Sequence, residues 1–133
     1  VTLVSAVPAP RDRWLVVVRY GTAGVWLFHG LFSKLLSGIP RHQQIVGRVL
    51  GETLARPATL FVGALEVVIG VWILSRRWPR RCAAVQTALL VGMNVLELTF
   101  AWDLLLAPVA MVCANAVFLG LGWLLAVRTP ERA

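Results

Sequence analysis

The chain has 133 residues, 59% of them hydrophobic and 14% charged, with a mean hydropathy of +0.78. Soluble domains average about 45–50% apolar and about 25% charged, so the composition excludes an ordinary water-soluble fold. The formal charge of +7 comes from arginines between apolar runs, where basic residues report membrane topology; no nucleic-acid module is recognisable, and no nucleic-acid partner is expected.

Residues 1–10 are apolar but short and Pro-broken. They lack the basic n-region and cleavage site of a secretory signal, so the first span is expected to direct insertion itself. That span is predicted over residues 15–36, with Arg19 snorkelling to headgroups beside Trp14 and Tyr20. Ser37-Gly38-Ile39-Pro40 breaks it. Residues 41–56 alternate charged and apolar side chains at helical spacing, which predicts a short amphipathic helix at the interface. Span two is predicted over residues 58–74, after Pro57, which suits a first-turn or pre-helix position. Arg76-Arg77-Trp78-Pro79-Arg80-Arg81 is a basic turn. Span three is predicted over residues 82–102, and residues 103–108 form a connection free of Lys and Arg. Span four is predicted over residues 109–127, leaving a polar tail. The expected fold is all-α: one domain, residues 1–133, forming an integral membrane bundle of four transmembrane helices.

Nine arginines fall on the side of the termini and the Arg76–Arg81 turn; Lys34, Arg41, Arg48 and Arg56 fall on the other. The positive-inside rule then predicts both termini in the cytoplasm, in a bacterial cytoplasmic (inner) membrane.

Each span carries isolated polar residues: His29, with Lys34 beyond it; Glu66; Asn94 and Glu97; Asn115. A charged side chain in a bilayer costs roughly 2.5–3.5 kcal/mol on insertion scales. At ~1.5 Å per residue these groups share one level, roughly 8–13 Å inside the outer boundary. Helical spacing puts Thr22, His29 and Ser33 on one stripe. It does the same for Thr59, Gly63, Glu66 and Gly70, for Gln86, Leu90, Asn94, Glu97 and Ala101, and for Asn115, Leu119 and Gly122. Turned inward, the stripes build a polar cluster in the outer half, with Lys34 as counter-charge and Trp26 and Phe28 as aromatic walls. The bland account makes the Asn residues interhelical hydrogen bonds worth about 0.6 kcal/mol each, Glu a protonated acid and Lys34 an interfacial lysine. Intramembrane ionisable groups favour ligand or proton handling instead, so His29, Lys34, Glu66, Asn94, Glu97 and Asn115 are the candidate ligand-binding residues.

Other constellations carry less. Cys82 and Cys113 sit at opposite depths, beyond the ~7 Å Cα limit for a disulfide. No Cys-x-x-Cys supports thiol redox work, and no His/Cys spacing suggests a zinc site. His42 lies in the interfacial segment, so two-histidine haem ligation inside the bundle is not expected. Ala84, Ala88 and Gly92, with Ala116 and Gly120, make small-residue ridges that read as packing within the bundle or as a homodimer face.

The chain resembles the DoxX-like family of small bacterial four-span membrane proteins. The resemblance rests on Trp26-Leu27-Phe28-His29-Gly30-Leu31 followed by Lys34-Leu35, on Gly63-x-x-Glu66 and Gly70, and on Asn94-x-x-Glu97. It continues in Asp103-Leu104-Leu105-Leu106-x-Pro108 leading to Asn115. It implies a four-helix inner-membrane protein. Because the namesake group includes a subunit of thiosulfate:quinone oxidoreductase, it also implies a redox link, a quinone as ligand, and a membrane or redox protein as partner beside the lipids. The paired cysteines for redox work by this chain alone are missing. The leading expectation is a small quinone- or small-ligand-binding membrane subunit. The alternative is a non-enzymatic scaffold recruiting partners through the Arg76–Arg81 turn or the amphipathic segment, which predicts that neutralising those arginines matters and Glu66→Gln does not. A transporter ranks last, since no broken-helix pair or inverted repeat is visible.

Overall fold

The computed structural model describes residues 10–131; the expectation about the first residues, and the tail beyond Glu131, lie outside it. Every regular element among the described residues is helical. Helix α1 (Pro10–Leu27) runs without a break into a π-helical stretch (Phe28–Leu35). Then come α2 (Pro40–Leu50), α3 (Glu52–Ser75), α4 (Pro79–Phe100), a single 3₁₀ turn (Trp102–Leu104) and α5 (Pro108–Arg128). Four helical segments are long and apolar enough to cross a membrane: Arg13–Leu35, Glu52–Ser75, Pro79–Phe100 and Pro108–Arg128. Their outer surfaces are apolar, with Val17 and Phe61 more than 60% exposed, a surface that only lipid solvates well.

Two boundaries differ from the sequence expectation. Helix α3 starts at Glu52, with Pro57 inside it. A proline so near the start removes one ladder bond. Beside it, Arg56 ties α3 to the end of the π-helical stretch, donating to Lys34 O at 3.3 Å, Leu35 O at 3.4 Å and the Ser37 hydroxyl. The segment read as one amphipathic helix over 41–56 stops at Leu50. There Gly51 adopts φ +91°, a conformation glycine takes without a Cβ clash. Pro40 begins α2 at its first turn.

The spans form two close pairs. Helix α1 and its π-helical extension pack along α3, and α4 packs along α5. Glycine makes the first pair close: a Cβ on Gly30 would stand 2.5 Å from Gly63 O, and one on Gly70 would stand 2.6 Å from Leu27 Cγ. The apolar core joins Ala23, Trp26, Ile69, Ile73, Cys82 and Leu125 near the end that carries the termini. Toward the other end the pairs separate, and α2 covers the gap between them.

Arg19 does not point outward beside Trp14 and Tyr20 as expected. It is 7% exposed, and its Nη2 donates to Thr129 Oγ1 at 2.7 Å. It stands on the inward stripe with Thr22, Ala23 and Trp26. The small-residue ridges face outward rather than into the bundle: Ala84, Ala88, Gly92, Ala116 and Gly120 are all exposed. A Cβ on Gly92 or Gly120 would meet nothing within 4 Å.

Candidate functional site

The gap between the helix pairs is a cavity of about 380 Å³, and His29, Lys34, Glu66, Asn94, Glu97 and Asn115 all line it. The four inward stripes therefore converge on one space. Val62, Met93 and Phe118 supply apolar wall, and Trp26 packs on Phe118 with ring centroids 5.9 Å apart. Phe28, expected in the wall, is half exposed and stacks on Phe32 outside. Two residues beyond Trp26 on a helix, it points the other way.

Lys34 and Glu66 form the centre of the polar wall. Lys34 Nζ lies 2.9 Å from both Glu66 Oε1 and Oε2, and the two side chains are 8% and 2% exposed. Glu66 Oε2 has no hydrogen-bond partner of good geometry, so part of its accepting capacity is unspent. Asn115 Nδ2 donates to Asn94 Oδ1 at 2.9 Å, closing α5 onto α4. Deeper in the bundle, Trp26 Nε1 donates to Gln86 Oε1 at 3.0 Å.

The π-helical stretch explains how α1 supplies two of these groups. His29 and Lys34 are five residues apart, which α-helical winding would place about 140° apart around the axis. Its wider i→i+5 turns bring them to the same side.

Sequence reasoning missed the contribution of α2. Arg41 and His42 line the cavity beside Ile45, Val46 and Val49, and the His42 ring stands 5.8 Å from that of His29. The signal was present: His42, Ile45, Val46 and Val49 follow i, i+3, i+4, i+7 spacing, one helical face. Outside, Arg48 pins α2 to the connection after α4, donating to Asp103 at 2.7 and 3.2 Å. That guanidinium holds the Asp103 carboxyl below its usual range.

Burial, reinforced by Lys34, His29 and Arg41, pushes the His42 imidazole from 6.5 down to about 4. The carboxylates of Glu66 and Glu97 line the same cavity. The folded protein therefore binds fewer protons at His42 than the unfolded chain does. The resulting stability is fully present above pH 6.5 and lost as pH falls toward 4. Its ceiling is about 3 kcal/mol, lowered by solvent at a partly exposed ring. Thermal unfolding in detergent should show wild type losing stability across this window relative to His42→Gln. Parallel curves for the two proteins would contradict the assignment.

Among the described residues, no group of three His, Cys, Asp or Glu side chains is placed to hold a metal ion. Cys82 is buried, Cys113 is exposed, and both are free thiols.

The model of the DoxX-like family matches residues 23–123 of the chain, a stretch that contains every residue named around the cavity. Comparison with curated proteins and with solved structures gave no match.

Proposed function

This chain belongs to the DoxX-like family, and from that premise we propose that it is a small membrane subunit holding a quinone-like amphiphile between its two helix pairs. The observation that carries the reading is the convergence of His29, Lys34, Glu66, Asn94, Glu97 and Asn115, from four membrane-spanning segments, on one cavity with apolar walls.

The residues present suit such a ligand. A volume of about 380 Å³ falls in the range of roughly 300–1,000 Å³ usual for small-molecule pockets. The carbonyl oxygens of a quinone need donors, which Lys34, the imidazoles and the Asn115 amide supply. The corresponding quinol needs acceptors, and Glu66 Oε2 is buried with capacity to accept. Val62, Met93 and Phe118 offer apolar faces to a ring. Val25, Leu50 and Leu96 border the cavity and are also exposed, leaving an apolar exit for a tail. A bound quinone would accept two electrons and two protons to become a quinol. The electrons would come from a protein partner, since the two cysteines offer no dithiol. The chain's part is to bind, to orient and to exchange protons through His29 and Glu66. The reading includes a bacterial cytoplasmic membrane with both termini inside.

The test is ligand-dependent thermal stabilisation of the purified protein in detergent by short-chain ubiquinone and menaquinone analogues. At a hundredfold excess over Kd, wild type should gain about 2.7 kcal/mol. His29→Ala and Glu66→Gln should lose that gain relative to their own unliganded baselines while keeping helical circular dichroism. Undiminished stabilisation of both variants would remove the reading.

A further inference from the structure

We propose that the end of the bundle carrying the termini holds a binding site for an anionic phospholipid headgroup, anchored by Arg19 and completed by Arg76 and Arg77. The inference is independent of the cavity and of what occupies it.

The charge distribution comes first. Nine arginines belong to this end against two carboxylates, Asp12 and Glu131, which accounts for the whole net charge of +7. The remaining part of the chain is balanced, with Lys34, Arg41, Arg48 and Arg56 against Glu52, Glu66, Glu97 and Asp103. Among the described residues, only Arg80 here lies near a carboxylate, 4.0 Å from Glu131, and both are exposed.

Arg19 is the informative member. It is 93% buried by its 7% exposure, and its one hydrogen bond goes to a neutral hydroxyl, Thr129 Oγ1. That hydroxyl's own proton is directed to Leu125 O at 2.6 Å. Among the described residues, Arg19 Nε has no partner and no carboxylate lies within ion-pairing distance of the guanidinium. A buried charge without a counter-ion costs several kcal/mol, and none is supplied by the described residues, so an anion suits the place.

The place for it is a crevice of about 20 Å³ lined by Arg19, Trp72, Arg76, Arg77, Pro79 and Thr129. That volume admits one oxygen-sized group. The geometry therefore suits a phosphate diester that inserts one oxygen beside Arg19 and leaves the rest outside, where the exposed Arg76 and Arg77 reach it. Guanidinium is the cation best matched to phosphate. The crevice rim is also the start of α4, a 22-residue helix with no side-chain cap, whose first free N–H groups add partial positive charge. A lipid is the natural source, because the site opens between membrane-spanning helices, beside Trp78 and below the apolar belt, at the level of headgroups.

Native mass spectrometry of the purified full chain in neutral detergent tests the proposal by titration with dioleoyl phosphatidylglycerol and, separately, dioleoyl phosphatidylcholine. Wild type should hold the anionic lipid roughly tenfold more tightly. Arg76→Gln/Arg77→Gln, altered only at exposed positions, should abolish that preference, while Arg48→Gln at the far end should keep it. Arg19→Lys retains the charge without the Nε donor and should weaken phosphatidylglycerol binding. Equal affinity of wild type for the two lipids, or a preference surviving the double substitution, would overturn the site. Displacement of phosphatidylglycerol by millimolar inorganic phosphate would assign it to a soluble anion and overturn the lipid.

Discussion

Lys34→Ala should cost roughly 3–5 kcal/mol of stability, the cost of breaking a buried ion pair from one side. The partner left behind is Glu66, 2% exposed in its side chain and 2.9 Å from the ammonium that would be removed. Arg41 lines the same cavity but is not within ion-pairing distance of Glu66. The informative control is Lys34→Met/Glu66→Met, which removes both charges and keeps volume. Such replacements are often neutral or stabilising, so the double variant should recover most of the loss. Equilibrium unfolding in mixed micelles reads all the corners of this cycle. A Lys34→Ala cost below about 1 kcal/mol would place the pair among solvent-screened surface bridges instead.

Gly30→Val should be comparably damaging, for a steric reason. Even a Cβ at Gly30 would lie 2.5 Å from Gly63 O and 2.9 Å from Val67 N. Both are backbone atoms, so the helices must move apart. Overpacking costs typically 1–3 kcal/mol, occasionally more, and here separation of α1 from α3 also draws Lys34 from Glu66. Gly92→Ala is the contrast. Its Cβ meets nothing within 4 Å, and alanine improves a helix interior by about 0.8–1.0 kcal/mol. Opposite signs for the two substitutions in one unfolding assay are the expected result; similar effects would refute the close-approach account.

The bundle and the ring of polar groups were legible because membrane insertion leaves few ways to hide a polar side chain. Glu66 shares a stripe with Thr59, Gly63 and Gly70, and all four are buried. Where the reading went astray, it judged a residue by its chemistry rather than its helical phase. Arg19 reads as an outward, snorkelling arginine near a helix end, although it shares a buried stripe with Thr22, Ala23 and Trp26. Phe28 was placed inside for being aromatic. His42 counts as an interfacial residue by its amphipathic segment, although it sits on that segment's apolar face and lines the cavity. The π-helical winding was not legible: no residue type in Phe28–Leu35 announces i→i+5 hydrogen bonding, and strict 3.6-residue spacing misplaces Lys34 relative to His29.

That winding makes chain length between Trp26 and Lys34 a constraint in its own right. Restoring ordinary turns with the residue count unchanged would rotate everything beyond by about 100°, carrying the ammonium away from its carboxylate; only a segment one residue shorter could wind as a plain α-helix and keep the same face inward. The same shortening in the connection before Pro108 would be absorbed by loop backbone. Homologous chains with this architecture should thus pair the π-helical winding with this residue count, or ordinary turns with one residue fewer, while varying freely in the last connection.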